Sequence, residues 1–350
     1  MADTNKTNQV KLCYDRDNHT KEGLAMRLGT IGTNWITKQF IQAAEATGQF
    51  ELAAVYSRHA ETGAQLVDAF GHGQVYTDMQ AFLASDVEVV YIASPNALHA
   101  QQAVATINAG KHVLVEKPLV THPSQLTALQ EALDTHPDVM LFEAMRQLYD
   151  PNFTVINNAI AKHAVSGATL TYMKYSSRYD AYLAGENPNI FTPKFAGGAL
   201  MDLGVYLVGS AVAWFGMPES ATYLPHLLTS GVDGDGVARL SYPDFDVVLR
   251  MGKTTNAYTT SEIYFGRDTL SFDSPGELND LRLISDGGTE KLFVPHADNP
   301  MVEEAEFFAH ALTYHDHAAF EQQWRLAQQI HAVMGELRQG TGIIFETDPK

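Results

Sequence analysis

Residues 26–40 read MRLGTIGTNWITKQF: an apolar run from Leu28 to Ile31, then Gly32, then apolar residues at helical spacing, Trp35, Ile36 and Phe40, continued by Ile41. A strand, a glycine turn and a helix in that order open a dinucleotide-binding fold, whose usual fingerprint is G-x-G-x-x-G. The first glycine makes the tight turn, the second lets the backbone approach a pyrophosphate, and the third packs helix on strand. Here the three places hold Gly32, Asn34 and Thr37. Among non-glycine residues Asn best tolerates a left-handed backbone. Asn34 is therefore expected to keep the turn and aim its amide at the pyrophosphate, with Thr37 in the packing position. Taken alone, the altered motif is equally a plain strand–turn–helix connection.

Working outward, short apolar runs alternate with helical patterns from residue 26 to about 145. RLGTI, FELAAVYS, VEVVYIAS, KHVLVE and VMLFEA read as strands, and PNALHAQQAVATINAG as an amphipathic helix between two of them. Such alternation predicts a doubly wound parallel sheet, an α/β Rossmann domain over residues 26–147, with ligands beyond the carboxyl ends of its strands. After Asp150-Pro151 the grammar changes. A helix (PNFTVINNAIAKHA) is followed by the alternating stretch SGATLTYMKYSSRYD, then by the Gly-rich helix start FAGGALMDLGVYLVGSAVAWF. GVARLSYPDFDVVLRM reads as two strands around a YPDF turn, and the end, from Val302 to about Gln339, reads as helical. Consecutive strands without helices between them imply an antiparallel sheet, so residues 148–350 are expected to form an α+β domain.

Composition narrows the function classes. With 350 residues, two domains are the natural division, and 45% apolar against 18% charged residues is an ordinary globular mixture. No run is read as approaching the roughly 20 apolar residues of a membrane span. Residues 1–25 are polar and unpatterned, an expected extension without signal-peptide features. The single Cys13 cannot pair within the chain and fits a reducing cytoplasm. Lys plus Arg number 23 against 41 Asp plus Glu, a net charge of −18, so nucleic acid and anionic membranes are poor partners. An anionic cofactor would need local cations.

Three further places carry chemistry. At the end of the second strand, where a dinucleotide fold usually presents a carboxylate to the ribose 2′-hydroxyl, stand Ser57 and Arg58. A hydroxyl and a guanidinium suit a 2′-phosphate, which favours NADP(H) over NAD(H); a solvated surface arginine is the plainer alternative. Lys117 follows the apolar strand HVLVE and precedes Pro118. Beside a cationic nicotinamide its pKa should fall, allowing proton exchange with a hydroxyl. Asp202 and Tyr206 are four apart and would share a helix face behind Gly197 and Gly198. His315 and His317 sit two apart in a helical region and so point to different faces; no cluster has metal-ligand spacing, and no metal is expected.

Together and in this order, GTIGTNWI, VYSRHAE, VYIASPNALHA, AGKHVLVEKPL, FEAMRQLYDP and GGALMDLGVY resemble the glucose–fructose oxidoreductase/inositol dehydrogenase family of NAD(P)-dependent oxidoreductases. Tyr206, with EKP, is most similar to its dimeric dihydrodiol dehydrogenase and NADP-xylose dehydrogenase branch, and speaks against the inositol dehydrogenase type, where histidine is commoner. The resemblance implies that the C-terminal domain carries an open, mostly antiparallel sheet forming a homo-oligomer interface in a dimer or tetramer. It implies that Lys117 meets the substrate hydroxyl, with Asp202 beside the reacting hydroxyl and Tyr206 as acid/base residue. Gly32, Thr33, Asn34, Trp35 and Ile36 would hold the pyrophosphate. Ser94, Pro95, Asn96 and His99 would line the cofactor, with Glu116 and Glu143 near its nicotinamide half. YSSRYD and NPNIFTPKF are expected to face the substrate, through Arg178, Tyr179 and Asn189.

The expected activity is hydride transfer between a nicotinamide, NADP(H) ahead of NAD(H), and a carbinol carbon of a small polyhydroxylated substrate: a sugar, polyol or diol. One alternative is a glycosidase- or epimerase-type reaction through transient oxidation. Another is a non-enzymatic dinucleotide-sensing regulator, against which the intact Lys117, Asp202 and Tyr206 speak.

Overall fold

The computed structural model describes residues 25–349; residues 1–24, with Cys13 and nearly all of the expected extension, lie outside the described residues. The chain begins β1 (Met26–Ile31), α1 (Trp35–Ala46), β2 (Phe50–Tyr56), α2 (Ala60–Phe70), β3 (Gln74–Tyr76), α3 (Met79–Leu83), β4 (Val89–Ile92), α4 (Asn96–Asn108), β5 (His112–Glu116), α5 (Gln125–Thr135) and β6 (Leu141–Ala144). These six strands form one parallel sheet in the order β3-β2-β1-β4-β5-β6. Val89, Val90, Tyr91 and Ile92 of β4 and Val113, Leu114 and Val115 of β5 are fully buried. Continuous apolar strands of this kind suit a parallel sheet covered on both faces. The strand order reverses between β1 and β4, and at such a switch point a crevice opens for ligands.

The chain continues with α6 (Pro151–Lys162), β7 (Gly167–Met173), α7 (Tyr179–Leu183), a π turn at Leu200–Gly204, α8 (Val205–Phe215), β8 (Ser220–Leu227), β9 (Asp233–Ser241), β10 (Asp246–Gly252), β11 (Ser261–Phe265), β12 (Asp268–Phe272), β13 (Arg282–Ser285) and β14 (Gly288–Lys291). The eight strands pair as β14-β13-β12-β11-β7-β10-β9-β8, all antiparallel except β7 with β10. Buried and exposed residues alternate along β8 and β10, so one face of this sheet is covered. α8 is buried from Val205 to Trp214. Residues 193–215 are in fact long and apolar enough to cross a membrane by length and composition, contrary to the reading that no run approaches a span; 89% of the apolar window is buried inside the protein, as in a core helix.

The last segment, expected to be helical, holds two helices: α9 (Val302–Thr313) and α10 (His317–Arg338). The break holds His315 at a left-handed φ of 50°, so His315 and His317 are not two positions of one helix. The chain divides into two compact units, residues 25–146 with 297–325, and residues 147–296 with 326–349. The sequence reading assigned everything beyond 148 to the second domain; α9 instead packs on α1 in the first. Asn299 Nδ2 donates to the Gln39 carbonyl at 3.0 Å, and Phe307, Phe308 and Phe320 surround Phe142.

Candidate active site

In the first unit, Gly32 leaves β1 with φ 116°, and a Cβ there would lie 2.6 Å from the Ala93 carbonyl oxygen. Only glycine lets β1 turn this close to the end of β4. Asn34 departs from expectation: its φ is −80°, an ordinary extended value. Its side chain caps α1, accepting from the Ile36 and Thr37 amides at 2.9 and 3.2 Å, and donates to the Ala93 carbonyl at 2.9 Å. The amide is therefore spent on the helix cap and is not aimed at a pyrophosphate. Thr37 is fully buried at the packing position, Thr33 and Ile36 are half-buried, and Trp35 is 74% exposed at the first turn of α1.

At the end of β2 the two expected residues part company. Ser57 is buried, and its hydroxyl is 2.7 Å from that of Thr62. Arg58 is exposed and makes no ion pair or hydrogen bond among the described residues. Beyond β4, Ser94 donates to Gln102 at 2.6 Å, Pro95 occupies the N-cap position of α4, and Asn96 opens that helix. His99 is buried, with Nδ1 2.9 Å from the Pro118 carbonyl and Nε2 2.7 Å from the Ser94 carbonyl. Burial lowers its pKa in spite of those two carbonyls. The ring thus ties the Ser94 loop to the segment carrying Lys117, and a neutral imidazole can donate to only one of the two.

Lys117 follows β5, half-buried, and its peptide bond to Pro118 is cis. Glu116 accepts from the Tyr91 hydroxyl at 2.5 Å. Burial raises the Glu116 pKa, opposed by the charge of Lys117, the Tyr91 bond and the charge of Arg146. Glu143 is buried and accepts the Leu119 amide at 2.8 Å, fixing the chain just past Pro118. The sequence reading missed Glu304, in the first turn of α9. It is fully buried, and neither carboxyl oxygen has a hydrogen-bond partner among the described residues. Burial, then the charge of Glu116, holds its pKa well above the ordinary carboxylate range, against the pull of Arg146.

In the second unit, Asp202 lies on the π turn rather than on a regular α-helix, so the simple four-residue helical relation to Tyr206 does not hold as expected. Single π turns occur often at functional sites. The Asp202 carboxylate pairs with the buried Lys253, which follows β10. Lys253 is itself fixed through its backbone: its amide donates to Gly234 at 2.8 Å, and its carbonyl accepts Ser176 at 2.9 Å. Tyr206 is 8% exposed, and its ring meets Tyr172 edge-on at 5.6 Å. Asp233, fully buried, accepts the Leu200 amide at 2.7 Å and the Tyr223 hydroxyl at 2.6 Å, anchoring the start of the π turn. Neither Lys253 nor Asp233 left a local sequence signal, because each acts at least 31 residues from Asp202. Arg178 and Asn189 line one cavity, whereas Tyr179 stacks among Tyr175, Tyr182 and Phe191.

Among the described residues, no group of three or more His, Cys, Asp or Glu side chains is placed to hold a metal ion. The first unit fits a dinucleotide. Gly32 leaves the backbone bare at the switch point, α1 and α4 begin there, and Arg58 is unengaged at the end of β2.

A family model described as an oxidoreductase family with an NAD-binding Rossmann fold matches residues 26–143. The uncharacterized oxidoreductase YgjR of Escherichia coli is 37% identical over 92% of this chain and 98% of its own. The chain belongs to the Gfo/Idh/MocA oxidoreductase family. It is an NAD(P)-dependent oxidoreductase, and the regulator alternative falls away. The scyllo-inositol 2-dehydrogenase (NADP(+)) IolU of Bacillus subtilis is 36% identical over 92% of this chain and 99% of its own. A D-xylose 1-dehydrogenase (NADP(+)) of Haloferax volcanii is 30% identical over 55% of this chain and 58% of its own. A relative named for scyllo-inositol thus stands beside one named for D-xylose, although Tyr206 was read as speaking against the inositol dehydrogenase type. Among solved structures, a 3-ketoreductase from Actinomadura kijaniata in complex with TDP-benzene and NADP superposes with a TM-score of 0.77. It covers 90% of this chain and 98% of its own at 22% identity, a likeness of fold alone.

Proposed function

We propose that this oxidoreductase transfers a hydride between NADP(H) and a carbinol carbon of a sugar or polyol. The observation that carries the reading is the Asp202–Lys253 pair: a carboxylate held on a π turn by a buried lysine, one turn before Tyr206. When bound, the nicotinamide supplies or accepts the hydride at C4. Lys117 donates a hydrogen bond to the reacting hydroxyl, and Tyr206, or Lys117 itself, takes its proton during oxidation. Asp202 orients that hydroxyl, and Lys253 holds Asp202 in place. Arg58 pairs with the 2′-phosphate of NADP(H), and Thr33, Asn34 and Trp35 offer backbone amides at the start of α1, the Ile36 amide being taken by the Asn34 side chain. Ser94, Pro95, Asn96 and His99 wall the cofactor beyond β4, with Glu116 and Glu143 on the nicotinamide side.

The reading extends to a cytoplasmic homo-oligomer assembled through the eight-stranded sheet. In its support, Leu224, Val237 and Val248 are exposed on the adjoining strands β8, β9 and β10. A titration with NADPH and with NADH, followed by tryptophan fluorescence, tests the cofactor half, since Trp35 is exposed where α1 begins. Saturation at lower NADPH than NADH is expected; no saturation with either removes the reading.

A further inference from the structure

The segment leading to the π turn builds a cavity of about 380 Å³, within the range that holds small ligands, roughly 300–1,000 Å³. Arg178, Glu186, Asn187 and Asn189 give it polar walls, and Ala181 and Pro188 apolar ones. These four polar residues are exposed, and their side chains make no hydrogen bond or ion pair with other described residues, so a guanidinium fork, a carboxylate and two amides are free to meet a ligand. Both walls are tied to the Asp202–Lys253 pair. On one side Gly198 donates to the Ile190 carbonyl at 2.9 Å, and Asp202 donates to the Gly198 carbonyl at 3.3 Å. On the other, the Arg178 amide donates to the Ser176 hydroxyl at 3.2 Å, and the Ser176 amide donates to the Lys253 carbonyl at 2.9 Å. Tyr179, Tyr182 and Phe191 pack their rings together, with centroids 5.3–5.9 Å apart, and brace α7 against the Asn189 side.

We infer that this cavity is a subsite for a second, uncharged ring of the substrate, a glycosyl or cyclitol group linked to the ring that carries the reacting carbinol. The inference rests on the role of Asp202 proposed above. Asp202, Lys253 and Tyr206 do not line the cavity, so the part of a substrate it holds lies beyond the reacting carbon. Its one cation is matched by one carboxylate, which leaves no surplus charge for a diphosphate. Paired donors and acceptors on the walls instead complement vicinal hydroxyls, each able to give and accept. A nucleoside-diphosphate sugar is therefore the wrong class.

The test compares trehalose, maltose and cellobiose with glucose and scyllo-inositol, and with dTDP-glucose, as reductants of NADP+ by the full chain and by Arg178→Ala and Asn189→Ala. Each variant should raise KM for the disaccharide turned over about 10-fold more than KM for the single-ring substrate, the difference expected for a hydrogen bond to a charged or amide partner that only the second ring makes. Equal shifts for one- and two-ring substrates, or preference for dTDP-glucose, overturn the subsite. If no sugar or polyol reduces NADP+, the role of Asp202 fails, and saturation-transfer NMR still decides the cavity. Contact to both rings of a disaccharide that Arg178→Ala reduces to one supports it, whereas absent contact, or contact indifferent to the substitution, overturns it.

Discussion

Asp202 and Lys253 are 51 residues apart and meet as an ion pair in which the lysine is nearly buried. Removing one member of such a pair strands the other in poor solvent. Lys253→Met is therefore expected to lower kcat by about 10–100-fold with NADPH affinity within about 3-fold, because Asp202 loses the group that holds it in place. Lys253→Arg should restore much of that loss; an unchanged kcat in Lys253→Met would assign the lysine to stability alone. Arg58, exposed and unengaged, supports a second expectation. Arg58→Ala should weaken NADPH by about 10–100-fold, the worth of charge-assisted hydrogen bonds, and NADH by about 2-fold or less; equal losses in parallel titrations would sink the assignment. At this scale the sequence told residue types better than partners. Arg58 and Lys117 were legible as chemistry at strand ends. Lys253 was not, since its partner is brought to it only by the packing of β10 against the π turn. Asn34 was misjudged because a helix cap competes for the same amide that a ligand would use.

The π turn is an element built on one glycine and one buried acid. Gly198 has φ 113°, and a Cβ there would lie 2.1 Å from Asp233 Oδ1, on the carboxylate that accepts the Leu200 amide and the Tyr223 hydroxyl. Gly198→Ala must displace that anchor as well as strain the backbone. A stability loss of about 2–4 kcal/mol is expected, read from the denaturant midpoint. Gly48→Ala, at φ 68° with nothing within 4 Å, should cost only about 1 kcal/mol. A cost for Gly198→Ala no larger than for Gly48→Ala would show that Asp233 does not hold the turn. The strands of the parallel sheet were legible because burial on both faces leaves continuous apolar runs. Three-residue β3 was too short to show a period. The break at His315 and the π turn at Asp202 were invisible for a common reason: residues on either side keep helical spacing, while the left-handed φ of His315 and the altered hydrogen bonding at Asp202 belong to the backbone.

For the whole molecule, buried acids and a buried histidine set opposite slopes of stability with pH. Glu304, with its pKa raised, keeps in the native state a proton that the unfolded chain releases above the ordinary 4.5. Its contribution is therefore lost as pH rises from there toward its native value. His99, with its pKa lowered, is neutral in the native state, so its contribution is lost as pH falls below the ordinary 6.5. Glu304→Gln keeps the shape without the titration, and its thermal stability relative to the natural chain should increase from about pH 5 to about pH 8; a difference constant across that range would mean that Glu304 does not titrate between the two states. The excess of acids over bases was plain from composition, but which acids are buried was not, since Glu304 is one of three carboxylates within four residues of α9. The most direct test of the central claim is the steady-state reduction of NADP+ by a panel of polyols and sugars, with the natural chain and with Lys117→Met side by side. A rate lower by about 10²–10⁴-fold in Lys117→Met, with NADPH affinity within about 3-fold, is predicted; an unchanged rate in that variant, or no reduction by the natural chain with saturating cofactor, would contradict it.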